Sequence, residues 1–229
     1  MKKIVFLTIT ALLCASCLQV NLNTRGGKNV VKGKGPVVTR SFDFTDFDAI
    51  CVNGNADIRF TQADSWEVTL STNENIFDLL DYKVEDGVLI IQTEDYQTVV
   101  AKTYDLTIQA PDLRRIEVNG AGDFLFPAGL RTEGDLEIEV NGAGDLEFHG
   151  IVCQGLKIES NGAGDIDADG LDVGTVEIEI SGIGDVSVSG KAGEARFDVA
   201  GIGDIDARDL EVSGDVHKST AGIARIRVR

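Results

Sequence analysis

The 229-residue chain is short of cations, histidine, aromatic residues and long apolar runs. Its 21 Lys and Arg face 38 Asp and Glu, a formal net charge of -17. That balance sets most of the surface against phosphate backbones and argues against nucleic acid as a partner. The two histidines, His149 and His217, lie far apart, and no phosphate loop, zinc spacing or nucleophile motif is present. The usual enzyme signatures are therefore missing. The apolar run at residues 4–13 is about half the length that a membrane-spanning helix needs. Core-forming material is not lacking: 43% of the residues are hydrophobic, which excludes global disorder and allows one elongated domain or two small ones.

The first residues read as an address. Lys2 and Lys3 precede the apolar run, which ends in Cys14, Ala15, Ser16 and Cys17. A positive start, a short apolar segment and small residues before a cysteine make a lipoprotein signal, with residues 1–16 removed and Cys17 acylated. The expected location is the cell envelope, lipid-anchored at the outer membrane, with either face open. Residues 17–40 carry Asn, Gly and five cations (Arg25, Lys28, Lys32, Lys34, Arg40) without hydrophobic periodicity. They read as a flexible linker.

The remaining chain, residues 41–229, is organised by a repeat. NGAGD stands at 119–123, 141–145 and 161–165, followed by SGIGD at 181, AGIGD at 200 and a worn AGIAR at 221, with an earlier relative, NGNAD, at 53. The spacings are 22, 20, 20, 19 and 21 residues. Short alternating segments flank each copy, such as Leu136, Ile138 and Val140 before one and Leu146 and Phe148 after it. Period two marks strands. Strands this short, repeating with one orientation, bury their apolar side only by stacking on the next copy about 4.8 Å away, which makes an all-β parallel β-solenoid with coils of about 20 residues. Residues 41–110 are less regular and read as opening coils plus an N-terminal cap, with a hairpin at Asp86-Gly87. Residues 111–229 form the array. Lys218, Thr220 and Arg225 in the last copy suit a terminal coil that meets solvent.

Residues 42–52, the Gly87-Val88-Leu89-Ile90-Ile91 hairpin, the Ala110-Pro111-Asp112-Leu113 lead-in and the NGAGD turns together resemble the bacterial auto-transporter adhesin, head GIN domain family, over roughly residues 40–229. The resemblance implies a right-handed parallel β-helix on a secreted or lipid-anchored protein. It transfers no catalytic motif, and fold alone does not carry function.

Stacking aligns columns. Glu117, Glu139, Glu159, Glu179 and Asp198 form a carboxylate ladder two residues before each turn. Neighbouring charges there repel by about 0.9 kcal/mol in water and about 3.5 kcal/mol at an effective dielectric of 20. Two residues earlier, Arg115, Glu137, Lys157, Glu177 and Arg196 alternate in sign and can partly neutralise the ladder. The carboxylates could collect Ca²⁺, or they could be a charged face that keeps the solenoid soluble. The turn aspartates Asp123, Asp145, Asp165, Asp185 and Asp204 form a second column, read as structural satisfaction of tight turns, and Asn119, Asn141 and Asn161 form an amide stack. Cys153 reads as a small core residue, and a disulfide to Cys51 is open to an oxidising compartment. No resident cofactor is implied.

These features point to a non-catalytic envelope lipoprotein that binds or adheres through an acidic solenoid. Its partners would be the membrane through its lipid, and a glycan or an envelope or host protein. A structural, self-associating scaffold is the alternative, and a carbohydrate-active enzyme is third. Exposed aromatics are absent from the array, where Phe124, Phe126, Phe148 and Phe197 sit at inward phase. A ligand site among aromatics would therefore fall in the cap, near Trp66, Tyr82, Tyr96 or Tyr104.

Overall fold

The computed structural model describes residues 30–94 and 97–229. Residues 1–29, with the signal, Cys14 and Cys17, lie outside the described residues, as does Tyr96. The rest is a parallel β-solenoid with coils of about 21 residues.

Each coil has three short faces. The first face stacks Ala49–Asn53, Arg115–Val118, Leu136–Val140 and the last residues of the Ile151–Ser160 strand, then continues to Val216–Thr220. The second stacks Asp57–Gln62, Phe124–Phe126, Leu146–His149 and their successors, up to Ile223–Val228. The third begins at Leu130–Arg131 under Ile151 and Val152. Alternation buries every second residue of a face, so each face feeds more than one column into the core. Ile50, Ile116, Ile138, Ile158, Ile178 and Phe197 form one column, each no more than 1% exposed. On the second face Phe60 meets Phe126 at a tilt and Phe126 stacks on Phe148, with ring centroids 5.3 and 4.4 Å apart. Such offset aromatic contacts add to the stabilisation from burial.

Unequal coil lengths are absorbed at the two corners that flank the third face. The register shifts between Ala168 and Leu171 against the next coil, and again between Ser187 and Ser189. The ladders on the faces stay aligned because each change of spacing falls at a corner: the step to a 21-residue offset lies between the third and first faces, where Ala192 pairs with Val212 and Ala195 with Val216.

The N-terminal end is closed differently. Val88–Gln92 and Tyr104–Ala110 add one more parallel layer, then Lys83–Glu85 and Glu67–Asn73 pair with them antiparallel. The hairpin turn expected at Asp86-Gly87 has positive φ at both residues, 51° and 79°, as a type I′ turn requires. A 3-10 turn, Glu74–Leu79, lies beside these strands. The linker expected to reach residue 40 is folded in its described part. Val30–Lys32 pairs with Thr98–Val100 and Val37–Phe42 with Glu67–Asn73. Period two is hard to see in three residues, and alternation in Val37–Phe42 is masked because most of that strand is exposed.

Candidate functional site

The pentapeptide corner sets the geometry of the surface, and each of its five positions has a stacking role. Asn comes first: Asn119 Nδ2 donates to Asn53 Oδ1, Asn141 to Asn119 and Asn161 to Asn141, each at 3.1 Å. The second position is glycine because a Cβ on Gly142 would lie 1.8 Å from the carbonyl oxygen of Gly120, below any real contact. The third position forms isolated bridges from Asn55 through Ala121, Ala143 and Ala163 to Ile183 and Ile202. The second glycine is again a point of close backbone approach: a Cβ on Gly144, at φ 153°, would meet Gly122 O at 2.0 Å. Last comes Asp, whose Oδ1 accepts the backbone N–H of the next coil's equivalent residue. These bonds run Asp145 to Asp123 at 3.2 Å, Asp165 to Asp145 at 2.9 Å, Asp185 to Asp165 at 2.8 Å and Asp204 to Asp185 at 2.7 Å. Asp57 begins this ladder and Arg225 N ends it. The aspartates thus satisfy the backbone of the following coil rather than their own turn, a link that only stacking reveals.

The carboxylate column lies beside the asparagines. Glu117, Glu139, Glu159, Glu179 and Asp198 are in register over five coils. They are half-buried, not fully solvated. Asn119 and Asn141 donate to Glu117 and Glu139 at 2.7 and 2.8 Å. The sign-alternating column supplies the rest. Arg115 reaches Glu117 at 3.1 Å and Glu139 at 3.4 Å, Lys157 pairs with Glu159, and Arg196 bridges Glu177 at 3.2 Å and Asp198 at 2.7 Å. The Glu159 contact raises the Lys157 pKa, burial opposing it. Cations on alternate coils therefore neutralise much of the repulsion within the ladder, and such partly desolvated networks are worth more than isolated surface pairs. Among the described residues no group of three or more His, Cys, Asp or Glu is placed to hold a metal ion.

The remaining sequence candidates separate. His149 Nε2 contacts Glu147 at 2.8 Å, whereas His217 lies on the last coil in register with Arg196. Cys51 and Cys153 are buried thiols with no disulfide between them. Cys51 pairs with Glu117 on the first face, whereas Cys153 pairs with Val173 on the third. Burial pushes the Cys153 thiol up to about 11. The four array phenylalanines are each at most 1% exposed. In the cap, Trp66 Nε1 donates to Phe47 O at 3.0 Å and the Tyr82 and Tyr104 hydroxyls meet at 2.7 Å. Burial is the main cause that raises both tyrosine pKa values.

Solved structures that share the fold include the following three. One is a "putative adhesin" from Bacteroides fragilis NCTC 9343 (TM-score 0.74, 24% identity, 87% of this chain and all of that one). Two are from Parabacteroides distasonis ATCC 8503: a "putative lipid binding protein" (TM-score 0.76, 22% identity, 88% of this chain and all of that one), and a "putative adhesin" (TM-score 0.78, 22% identity, 86% of this chain and 84% of that one). No curated protein matches the chain. At these identities the structures establish the fold alone, but the family whose sequence pattern fits residues 46–229 spans the solenoid and most of its cap. With the repeat, the corner ladders and that match in agreement, the chain belongs to the family described as "Putative auto-transporter adhesin, head GIN domain".

Proposed function

We propose that this protein is a non-catalytic adhesin of the cell envelope, anchored by an acyl group on Cys17, whose solenoid presents a rigid charged face to a glycan or protein partner. The observation that carries this reading is the pair of interlocked columns running from Arg115 and Glu117 to Arg196 and Asp198. Five coils hold ten charged side chains at fixed spacing, with their ordering already built into the fold. A partner that meets several of them at once loses little further conformational freedom in the protein, which favours binding over a long surface. Membership of an adhesin family supports the same reading.

The test is binding of the mature chain to glycan arrays and immobilised envelope proteins, beside a Lys157→Gln, Arg196→Gln variant. Retained melting behaviour with lost binding supports the reading. Unchanged binding by the variant counts against the face. For the anchor, Cys17→Ala should move the protein from the membrane to the soluble fraction. Calcium offers a further check: with chain cations and amides already on the ladder, Ca²⁺ and EDTA at matched ionic strength should give the same melting temperature. A calcium-specific rise would reveal ligand binding to the folded state.

A further inference from the structure

The last coil leaves one strand edge with a defined chemistry. The aspartate ladder closes with the bond from Arg225 N to Asp204 Oδ1 at 2.9 Å. Arg225 cannot accept the next N–H, so a cation stands where each earlier coil has a carboxylate. The strand Ile223–Val228 pairs on one side with residues 202–207, placing Asp204, Ile205, Asp206 and Ala207 opposite Arg225, Ile226, Arg227 and Val228. Among the described residues no further strand pairs with its other side. The companion strand Val216–Thr220 is also paired on one side only, but it is protected. Lys218 stands over Phe197 and Thr220 over Val199, and inward-pointing charge is a common device that blunts a sheet edge. Ile223–Val228 lacks that device. Ile226 and Val228 pack against the core while only partly buried, and Ile223 is 76% exposed. Ile223 also extends a corner ridge with Ile202 and Ile183, both exposed.

We propose that Ile223–Val228 is the docking edge for an extended acidic segment of another protein, added as one more strand. Carboxylates would lie over Arg225 and Arg227, and apolar side chains over Ile226 and Val228. The paired side of the strand already holds this pattern: Asp-Ile-Asp-Ala at 204–207, with Arg227 3.0 Å from Asp204 and 3.9 Å from Asp206. Charge selects the partner. The coil from residue 213 carries Lys218, Arg225, Arg227 and Arg229 against Asp215 alone, in a chain of net charge -17. A second copy fits less well, because another last coil would bring like charges together. The strand at the opposite end, Val37–Phe42, offers Arg40 and no carboxylate. Strand addition draws affinity from main-chain bonds and specificity from alternate side chains. This edge is separate from the five-coil charged face, so either reading can fail without the other.

The test titrates the mature chain, purified in detergent, into a fluorescent peptide copying residues 162–170, GAGDIDADG, which repeats the Asp-Ile-Asp-Ala pattern. Saturable binding that weakens with salt is expected, falling about tenfold for Arg225→Glu and unchanged for Lys157→Gln. Alternate amides of a strand face opposite sides. Of two peptides N-methylated in opposite phase, one should therefore lose binding and the other keep it. A melting curve confirms that each variant folds, and Ile223→Asp provides a second lesion on the same edge, expected to weaken binding as well. No saturable binding, equal binding by both methylated peptides, or unaltered affinity in folded Arg225→Glu would each overturn the proposal. Self-association without peptide that Arg225→Glu abolishes would assign the edge to a second copy and also overturn it.

Discussion

The first three copies of the corner and the last three are built on one backbone and differ in what they place on it. From 119 to 165 the corner carries asparagine and alanine. Its amides form a continuous hydrogen-bonded stack that also reaches Glu117 and Glu139. From 181 onward Ser181, Ala200 and Ala221 replace the asparagines, and Ile183, Ile202 and Ile223 replace the alanines. The early corner satisfies itself along the axis, whereas the late corner gives up the amide stack and exposes an apolar ridge. The two ends differ in the same sense. Antiparallel strands and a 3-10 turn cover the first, whereas at the second polar substitutions blunt only the Val216–Thr220 strand and an arginine ends the aspartate ladder. An apolar end needs a long-range cap, while a repeat can be stopped locally by changing the residues that the next coil would need.

Glycine at the second motif position separates stacked from unstacked corners most sharply. Gly142→Ala would drive a Cβ into the Gly120 backbone, whereas Gly54, in the earlier NGNAD relative at 53, has no described atom within 4 Å of its Cβ position. Gly142→Ala should cost more than about 3 kcal/mol in chemical denaturation, and Gly54→Ala less than about 1 kcal/mol. Similar costs at the two sites would show that coil stacking is not what fixes this residue.

Next in size is the amide stack. Asn141→Ala removes the donor to Asn119 and Glu139 and the acceptor for Asn161, and should destabilise by about 1–2 kcal/mol. The reverse experiment extends the early corner into the late one. In Ser181→Asn, the new amide can donate to Asn161, and unfolding should need about 0.5–1 kcal/mol more. A loss there would mean that the ladder ends for a steric reason.

The smallest effect is electrostatic and belongs to the late coils. Asp206 is held down to about 2, first by its hydrogen bond from Arg208, with Arg227 adding to the attraction. A carboxyl whose folded pKa is depressed stabilises the fold above its unfolded value of about 3.9 and loses that contribution as pH falls through about 2. Asp206→Asn should therefore approach the parent's stability as pH falls below about 2 and be slightly less stable at pH 6. The difference should be slight because Arg208 is exposed. A constant difference across that range would assign it to packing rather than charge.

Much of this was legible in the chain because a solenoid repeats its own contacts. A 20-residue period, alternation before and after each turn and glycine at fixed positions dictate parallel stacking, since no strand of that length buries its apolar side alone. The columns of Glu117 through Asp198 and of Asp123 through Asp204 follow from spacing, and so does the inward phase of the four array phenylalanines. The folded stretch from Val30 was not legible, because Val30–Lys32 and Val37–Phe42 have too little alternation to reveal distant partners at Thr98–Val100 and Glu67–Asn73. Nor could the sequence say whose N–H each turn aspartate accepts, or that Arg115 would reach both Glu117 and Glu139. By itself, then, the sequence determined which residues share a column, because periodicity is one-dimensional. Which atoms within and between columns bond, how the first end is covered and which edge stays open were decided by the tertiary structure, because these depend on side-chain reach and long-range pairing that no local pattern encodes.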